Sequence, residues 1–344
     1  MKPIIETYSL EQLADIVKEL GLPQFRTRQI AAWLYAKNAA SYDDMSDLSK
    51  LLRGTLAEEC PLVRPRIVDQ QASNDGTRKF VLELHDGVLV ETVGIPSEDG
   101  RLTVCCSSQS GCAMNCAFCA TGRSGFRRNL LPGEIAEQVL IVSDQLDQRV
   151  SNVVMMGQGE PFANYSNAIN ALHIMNHPKL LGIGARRITV STCGVISGIK
   201  RFSQEPEQFT LAISLHSAVQ ETRDHLMPGV TNYPLLELRK TVQDYLDETD
   251  RRVTFEYALM RGINDSPREL EALIDFCSGM LCHVNLIPLN EIPDSSFHPV
   301  THKRMQEWCD QLNAAGVNAT IRNSRGSDIA GACGQLANSY ANHR

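Results

Sequence analysis

From Leu102 onward the chain repeats one rhythm, strand then helix, and few folds satisfy it. Strand-like runs LTVCCSS, NVVMMG, RITVST, FTLAISLHS, VTFEYAL, HVNLIPLN and NATIRNS are separated mostly by helical stretches such as PGEIAEQVLIVSDQL and SPRELEALIDFCSGM. Strands joined through helices pair in parallel, and a parallel sheet needs helices to cover it. The expected core is α/β, a partial (β/α)6 barrel over residues 101–344 rather than a closed eight-stranded one.

The first part of the chain has another pattern. SLEQLADIVKEL opens on a capping box, Ser9 with Gln12, spaces Leu10, Leu13, Ile16, Val17 and Leu20 along one face, and stops at Gly21 and Pro23. A second helix is expected around Arg28 to Lys37 and a third from about Asp47 to Glu59, giving a small helical accessory domain over residues 1–65. RKFVLEL and GVLVETVGI, joined by His85-Asp86-Gly87, read as an antiparallel hairpin in a linker over residues 66–100. The 344 residues have room for a barrel and one small domain, with no internal repeat. No signal peptide and no apolar run long enough to span a bilayer stand in the sequence, so a cytoplasmic location is expected.

Eleven cysteines in a reducing compartment point to metal or catalytic use rather than a disulfide framework. Cys112, Cys116 and Cys119 form a CxxxCxxC triplet in GCAMNCAFCATGRSGF. Three thiolates on one loop can hold three corners of a [4Fe–4S] cluster and leave the fourth iron open. Electron carriers cap every iron, so an open one implies chemistry at the cluster. The alternative is a zinc site or three buried thiols; zinc wants four tetrahedral ligands, commonly in paired sets, and no second pair follows. Cys60, Cys277, Cys282 and Cys309 stand in apolar or helical surroundings and read as packing residues.

The triplet, with Phe118 just before its third cysteine, resembles the radical S-adenosylmethionine superfamily, whose open iron takes the amino and carboxylate groups of that cofactor. Gly157-Gln158-Gly159-Glu160-Pro161, after a strand, resembles the superfamily's GMGEP-type element: Gly159 permits close backbone approach and Glu160 offers a carboxylate to the cofactor's ammonium. Later strand ends carry Ser191, Ser214, Leu215, His216 and Asn290, where polar groups suit a ribose, a carboxylate or an adenine edge. Each alone could equally cap a loop; as a recurring set they are the expected cofactor contacts.

Of the four cysteines that remain, two stand out: Cys105, seven residues before Cys112, and Cys333, between small residues in RGSDIAGACGQLA. Together VETVGIP, TVCCSSQSGCAMNCAFCATGRSGFRRNL, GQGEPFANY, ITVSTCG, LAISLHS, NLIPLN and RGSDIAGACGQL resemble the RlmN family of 23S ribosomal RNA adenosine C2 methyltransferases. The sister group, Cfr, methylates C8 of the same base.

The resemblance implies a radical-type barrel, a [4Fe–4S] cluster on the triplet and two molecules of S-adenosylmethionine per turnover. Cys333 would be methylated by the first; the second would yield the radical that takes a hydrogen from that S-methyl group. The methylene would add to C2, and Cys105 would take the C2 proton and release the product, leaving a Cys105–Cys333 disulfide. Glu91, in VETV, would be a general base in the same pocket, with an ordinary strand carboxylate as the alternative. The implied partners are 23S ribosomal RNA, with transfer RNA as a candidate second substrate, and a flavodoxin or ferredoxin as reductant; a monomer is the default.

Cys106, Cys193 and Gln158 depart from the family's usual residues without removing a catalytic group, and Pro161 favours C2 over C8. Cys106 neighbours Cys105 along a strand, so it points to the other face and reads as packed. A net charge of −7 argues against coating nucleic acid by bulk electrostatics. Candidate RNA contacts are instead local: Arg123, Arg127 and Arg128 beside the triplet, and Arg26, Arg28 and Lys37 in the helical domain. Arg186/Arg187, Arg251/Arg252 and Arg322/Arg325 recur near strand ends; taken singly they read as solvated surface charges, and their repetition leaves a polyanionic substrate open. A target base must lie in an unpaired region or be splayed out of one. The rival readings are a radical enzyme acting on a substrate other than RNA and a non-catalytic iron-sulfur or zinc module.

Overall fold

The computed structural model describes residues 9–337; residues 1–8 of the expected accessory domain and 338–344 of the expected core lie outside them. Three helices come first: α1 (Leu10–Glu19), α2 (Phe25–Ala31) and α3 (Lys50–Glu59). Four strands follow: β1 (Arg66–Ala72), β2 (Arg78–Glu83), β3 (Leu89–Pro96) and β4 (Leu102–Cys105). A ribbon of β5 (Gln109–Gly111) and β6 (Phe126–Asn129) encloses the short α4 (Ala120–Arg123). Then come α5 (Pro132–Gln145), β7 (Asn152–Met155), α6 (Tyr165–Asn176), β8 (Ile188–Thr192), α7 (Ile196–Phe202), β9 (Thr210–Ser214) and α8 (Gln220–Leu226). The rest comprises α9 (Leu235–Thr249), β10 (Val253–Leu259), α10 (Pro267–Cys277), β11 (Cys282–Pro288), α11 (His302–Ala314) and β12 (Ala319–Ile321).

Ten strands share one sheet in the order β1-β2-β3-β4-β7-β8-β9-β10-β11-β12. Every ladder from β4 to β12 is parallel, so the expected six-stranded partial barrel is present, with the three-residue β12 as a seventh rung. The sheet stays open, with β1 and β12 as its edges. Leu211, Ala212 and Ile213 of β9 are all buried, as a parallel strand covered on both faces requires. Trp308 of α11 is fully buried against Tyr257 of β10, with ring centroids 5.6 Å apart.

The hairpin expected as a linker is part of this sheet. β2 and β3 pair antiparallel around the Gly87 turn, and β3 continues onto β4 with Val93 opposite Cys105. β1 was not legible because RIVDQQA is polar and lies on an exposed edge.

The helical domain keeps its capping box at Ser9 and Gln12 and buries Leu13, Val17, Ile30, Leu34 and Leu56. Its second helix ends in a turn of π-helix, Ala32–Ala36. Arg64 joins this domain to the barrel: Nη2 donates to Ala39 O (2.7 Å) and Leu34 O (3.1 Å), while Nη1 pairs with buried Glu137 of α5. Burial pushes the Glu137 carboxyl up to about 7, against the opposing pull of Arg64.

Candidate active site

The three triplet cysteines face one cavity because the loop between β5 and β6 is gripped from several sides. Cys112 N donates to Gly125 O at 3.0 Å across the ribbon. Gly111 lies so close that a Cβ there would stand 1.9 Å from Gly125 O, and its φ of +75° excludes most other residues. The α8 end of the barrel holds the far side, with Ala117 N donating to Leu226 O (2.9 Å) and Gly229 N to Met114 O (3.0 Å). All three cysteines line one open cavity of about 1030 Å³ at the carboxyl ends of the parallel strands. Burial pushes the Cys112 thiol up to about 12 and Cys116 well above its ordinary value.

A buried cation shows what these thiols lack. Arg223 of α8 is fully buried, and its Nη2 donates to Cys193 O at 2.6 Å. Its Nε and Nη1 meet no hydrogen-bond acceptor among the described residues. A buried guanidinium with two unpaired donors is costly, and the groups acting on it electrostatically are the Cys193 and Cys116 sulfurs and Asp224. Cys112, Cys116 and Cys119 therefore fit an anionic iron-sulfur cluster bound through thiolates, with Arg223 as its counter-charge.

The expected cofactor residues surround the same space. Gly159 has φ +100°, and a Cβ there would meet Gln109 Cβ at 2.5 Å. Glu160 lines the cavity, its Oε1 accepting from Phe162 N (2.9 Å) and its Oε2 from Cys193 N (2.7 Å). Burial raises its pKa and these bonds oppose the rise. Ser191 and Ser214 line the cavity with their hydroxyl oxygens 3.5 Å apart. His216 adds a ring that burial holds at about 3; its Nδ1 accepts from Ala258 N (3.0 Å), so neutral imidazole carries its proton on Nε2. Asn290 also lines the cavity, and its Nδ2 donates to Cys333 O at 3.1 Å. Leu215 is the exception: its side chain is fully buried in the core and does not line the cavity.

Cys333 borders two spaces. It lines the cavity of the triplet and also a neighbouring one that holds Cys105, so two thiols 228 positions apart in sequence meet at one wall. Burial pushes Cys105 up to about 12, with Cys333 adding to the rise. Solvent reaches Cys333, yet the protein packed around it still pushes its thiol up to about 11. Arg322 pulls both thiols down. The surface charge expected at Arg322 is instead part of this wall, 3.7 Å from buried Glu256. Sequence reasoning missed Arg223 and Lys79 outright, since nothing in the residues flanking a lone cation marks it as buried.

Two expectations need correction. Glu91 is fully buried and lines neither cavity; it pairs with Lys79 Nζ at 3.3 Å. It shares a sheet face with Cys105, two residues along β3 from Val93, so it stands behind the pocket wall rather than inside it. Arg128 is no open RNA contact: its guanidinium bonds Asp86 at 2.6 and 2.9 Å and Glu134 at 2.8 and 2.9 Å. Arg123 and Arg127 remain exposed beside Phe126, which is 47% exposed. In the helical domain Arg28 is exposed, Arg26 lies over Phe25, and Lys37 lies 3.5 Å from the centre of the Trp33 ring. Cys60, Cys106, Cys193, Cys277, Cys282 and Cys309 are all buried.

Known proteins resemble this chain along nearly its whole length. Residues 106–277 match the Radical SAM superfamily, and residues 6–62 match the ribosomal RNA large subunit methyltransferase N-terminal domain. A probable dual-specificity RNA methyltransferase RlmN of Clostridium novyi is 43% identical, covering 99% of both chains. Its counterpart in Synechococcus elongatus is 45% identical over 95% of this chain and 91% of its own. The crystal structure of a radical SAM methyltransferase from Sphaerobacter thermophilus superposes with a TM-score of 0.92 at 42% identity, covering 97% of this chain and 99% of its own. With both of its regions matched and its length covered, the chain belongs to the RlmN family of radical S-adenosylmethionine RNA methyltransferases.

Proposed function

We propose that this chain methylates C2 of an adenosine in 23S ribosomal RNA and builds the new methyl group on Cys333 before delivering it. The supporting observation is that Cys333 borders both the cavity of the cluster cysteines and the cavity of Cys105. C2 of adenine lies between two ring nitrogens and is too electron-poor to attack a sulfonium methyl as an amine does. A carbon radical can add to it.

The cluster and S-adenosylmethionine, when bound, supply a 5′-deoxyadenosyl radical able to take hydrogen from an S-methyl group. Cys112, Cys116 and Cys119 hold the cluster, while Gly159, Glu160, Ser191, Ser214, His216 and Asn290 bind and orient the cofactor. Cys333, as thiolate, first accepts a methyl from one cofactor molecule, and a second is consumed in activating that methyl. Arg322 favours the thiolate. After the methylene on Cys333 joins C2, Cys105 takes the C2 proton. The adduct's unpaired electron would pass back to the cluster. The Cys105 sulfur then attacks the Cys333 sulfur, the carbon–sulfur bond breaks with its electron pair on the methylene carbon, a proton completes the methyl group there, and a Cys105–Cys333 disulfide remains. Glu91 acts from behind the wall, on the sheet face it shares with Cys105.

Pro161 after Glu160 supports C2 over C8. The relatives are named for a dual specificity toward RNA, which supports a second RNA substrate, and transfer RNA is the candidate. A flavodoxin or ferredoxin serves as reductant in the cytoplasm, and the chain acts as a monomer. Exposed Arg127, Arg123 and Phe126 offer charge and a stacking surface to RNA beside the cluster loop. The test is anaerobically reconstituted protein with reductant, S-adenosylmethionine and 23S RNA fragments, followed by nucleoside mass spectrometry. 2-Methyladenosine is expected; 8-methyladenosine would move the chain to the sister activity, and unmodified adenosine would refute the reading.

A further inference from the structure

Lys79 carries its ammonium into the interior of the molecule. It sits on β2 only 2% exposed, opposite Val93 of β3, which in turn stands opposite Cys105 of β4. Lys79 and Cys105 therefore share one face of the sheet. The ammonium lies 3.3 Å from Glu91 Oε1 and donates to the carbonyl of Ala330 at 3.4 Å. On its other side Glu91 Oε2 accepts from Gln158 Nε2 (3.4 Å), and Gln158 Oε1 accepts from Glu91 N (3.4 Å).

Gln158 belongs to the glycine-rich loop at the cofactor cavity, and Ala330 precedes Cys333 by three residues. Lys79, Glu91 and Gln158, none more than 2% exposed, thus form a polar chain from the cofactor loop to the Cys333 loop. Groups of this kind are costly to bury unless they bond one another, so their meeting here needs a reason. Ala330 supplies one. Its φ is +49°, a left-handed conformation that a residue with a Cβ holds only when its surroundings enforce it. The residue whose carbonyl Lys79 grips is the one that most needs holding.

We infer that Lys79 is a positioning residue for the reaction: its ammonium ties the Cys333 loop to Glu91 and sets where the Cys333 sulfur stands relative to Cys105 and the cofactor cavity. The kinetic consequence rests on the proposed role of Cys333; the tether itself does not. The test compares wild-type and Lys79→Met holoprotein, reconstituted without oxygen. Iodoacetamide labelling of Cys333, followed by peptide mass spectrometry, should be at least ~3-fold faster in the variant, because a loosened loop relieves the packing that disfavours its thiolate, while labelling of buried Cys60 is unchanged. RNA methylation should lose on the order of 10-fold or more in kcat with KM for RNA within about 2-fold, because displacing a reacting group costs rate rather than binding.

If Lys79→Met does not fold, Lys79→Met combined with Glu91→Leu removes the whole ion pair and orphans neither charge; the same labelling gain is expected. Wild-type labelling of Cys333 in either folded variant would overturn the inference. Should the wild type produce no methylated RNA, the proposed function fails, and the labelling comparison still decides whether Lys79 holds the loop.

Discussion

At the scale of single residues, two thiols line one wall and one cation lies buried beside the cluster loop. In the proposed reaction Cys105 resolves an adduct, so Cys105→Ala should leave RNA joined to Cys333, seen as a denaturation-resistant shift on a gel. Cys333→Ala should give neither shift nor methylated RNA. Arg223 offers a second handle on the same site. Its buried Nε and Nη1 need an anion, so Arg223→Met should reduce the iron retained per chain after anaerobic reconstitution, and Arg223→Lys should retain more. Equal iron content in all three proteins would remove Arg223 from the cluster's surroundings. The triplet, Cys105 and Cys333 were legible because thiols at these spacings have few structural uses. Lys79 was not, because in RKFVLEL it alternates with Phe80 and Leu82 and so reads as a solvent-facing position.

At the scale of elements, the ribbon of β5 and β6 separates two arginines that look alike in GRSGFRRN. Arg127 points to solvent beside Phe126, while Arg128 is bound by Asp86 and Glu134. Arg127→Glu should weaken RNA binding and lower the salt dependence of log affinity by about one, with the melting temperature unchanged. Arg128→Glu should instead destabilise the protein by about 3 kcal/mol, since it removes the arginine paired with buried Glu134 and sets a like charge beside it. Filter binding across a salt series and thermal melts check the pair; similar effects of both on RNA affinity would contradict this division. The parallel strands and their helices were legible from apolar runs and caps. β5 and β6 were not, because three or four residues rich in Ser, Gly and Arg carry no period, and the ribbon exists only by closing around the cysteine loop.

At the scale of the whole molecule, a ten-stranded sheet left open between β1 and β12 brings the last loop of the barrel against its first strands. That closure is what lets Cys333 reach Cys105. Docking of the helical domain adds a pH dependence. Glu137 is raised from 4.5 to about 7 in the folded protein, so its contribution to stability is present below about pH 4.5 and lost as pH rises toward 7. Glu137→Gln should lack that component: relative to wild type, its stability should improve between pH 5 and pH 8 in denaturant titrations, and a constant difference across that range would contradict the assignment. Among the described residues no helix is long and apolar enough to cross a membrane.

The central claim, that the methyl group passes through Cys333, is open to isotopic test in one turnover. Protein carrying a trideuteromethyl group on Cys333 would receive unlabelled S-adenosylmethionine, reductant and RNA, and the methyladenosine formed would be weighed. The account predicts a methyl group retaining two deuterium atoms, because one is abstracted before transfer and one proton is added on release. A methyl group with three deuterium atoms, or with none, would contradict it.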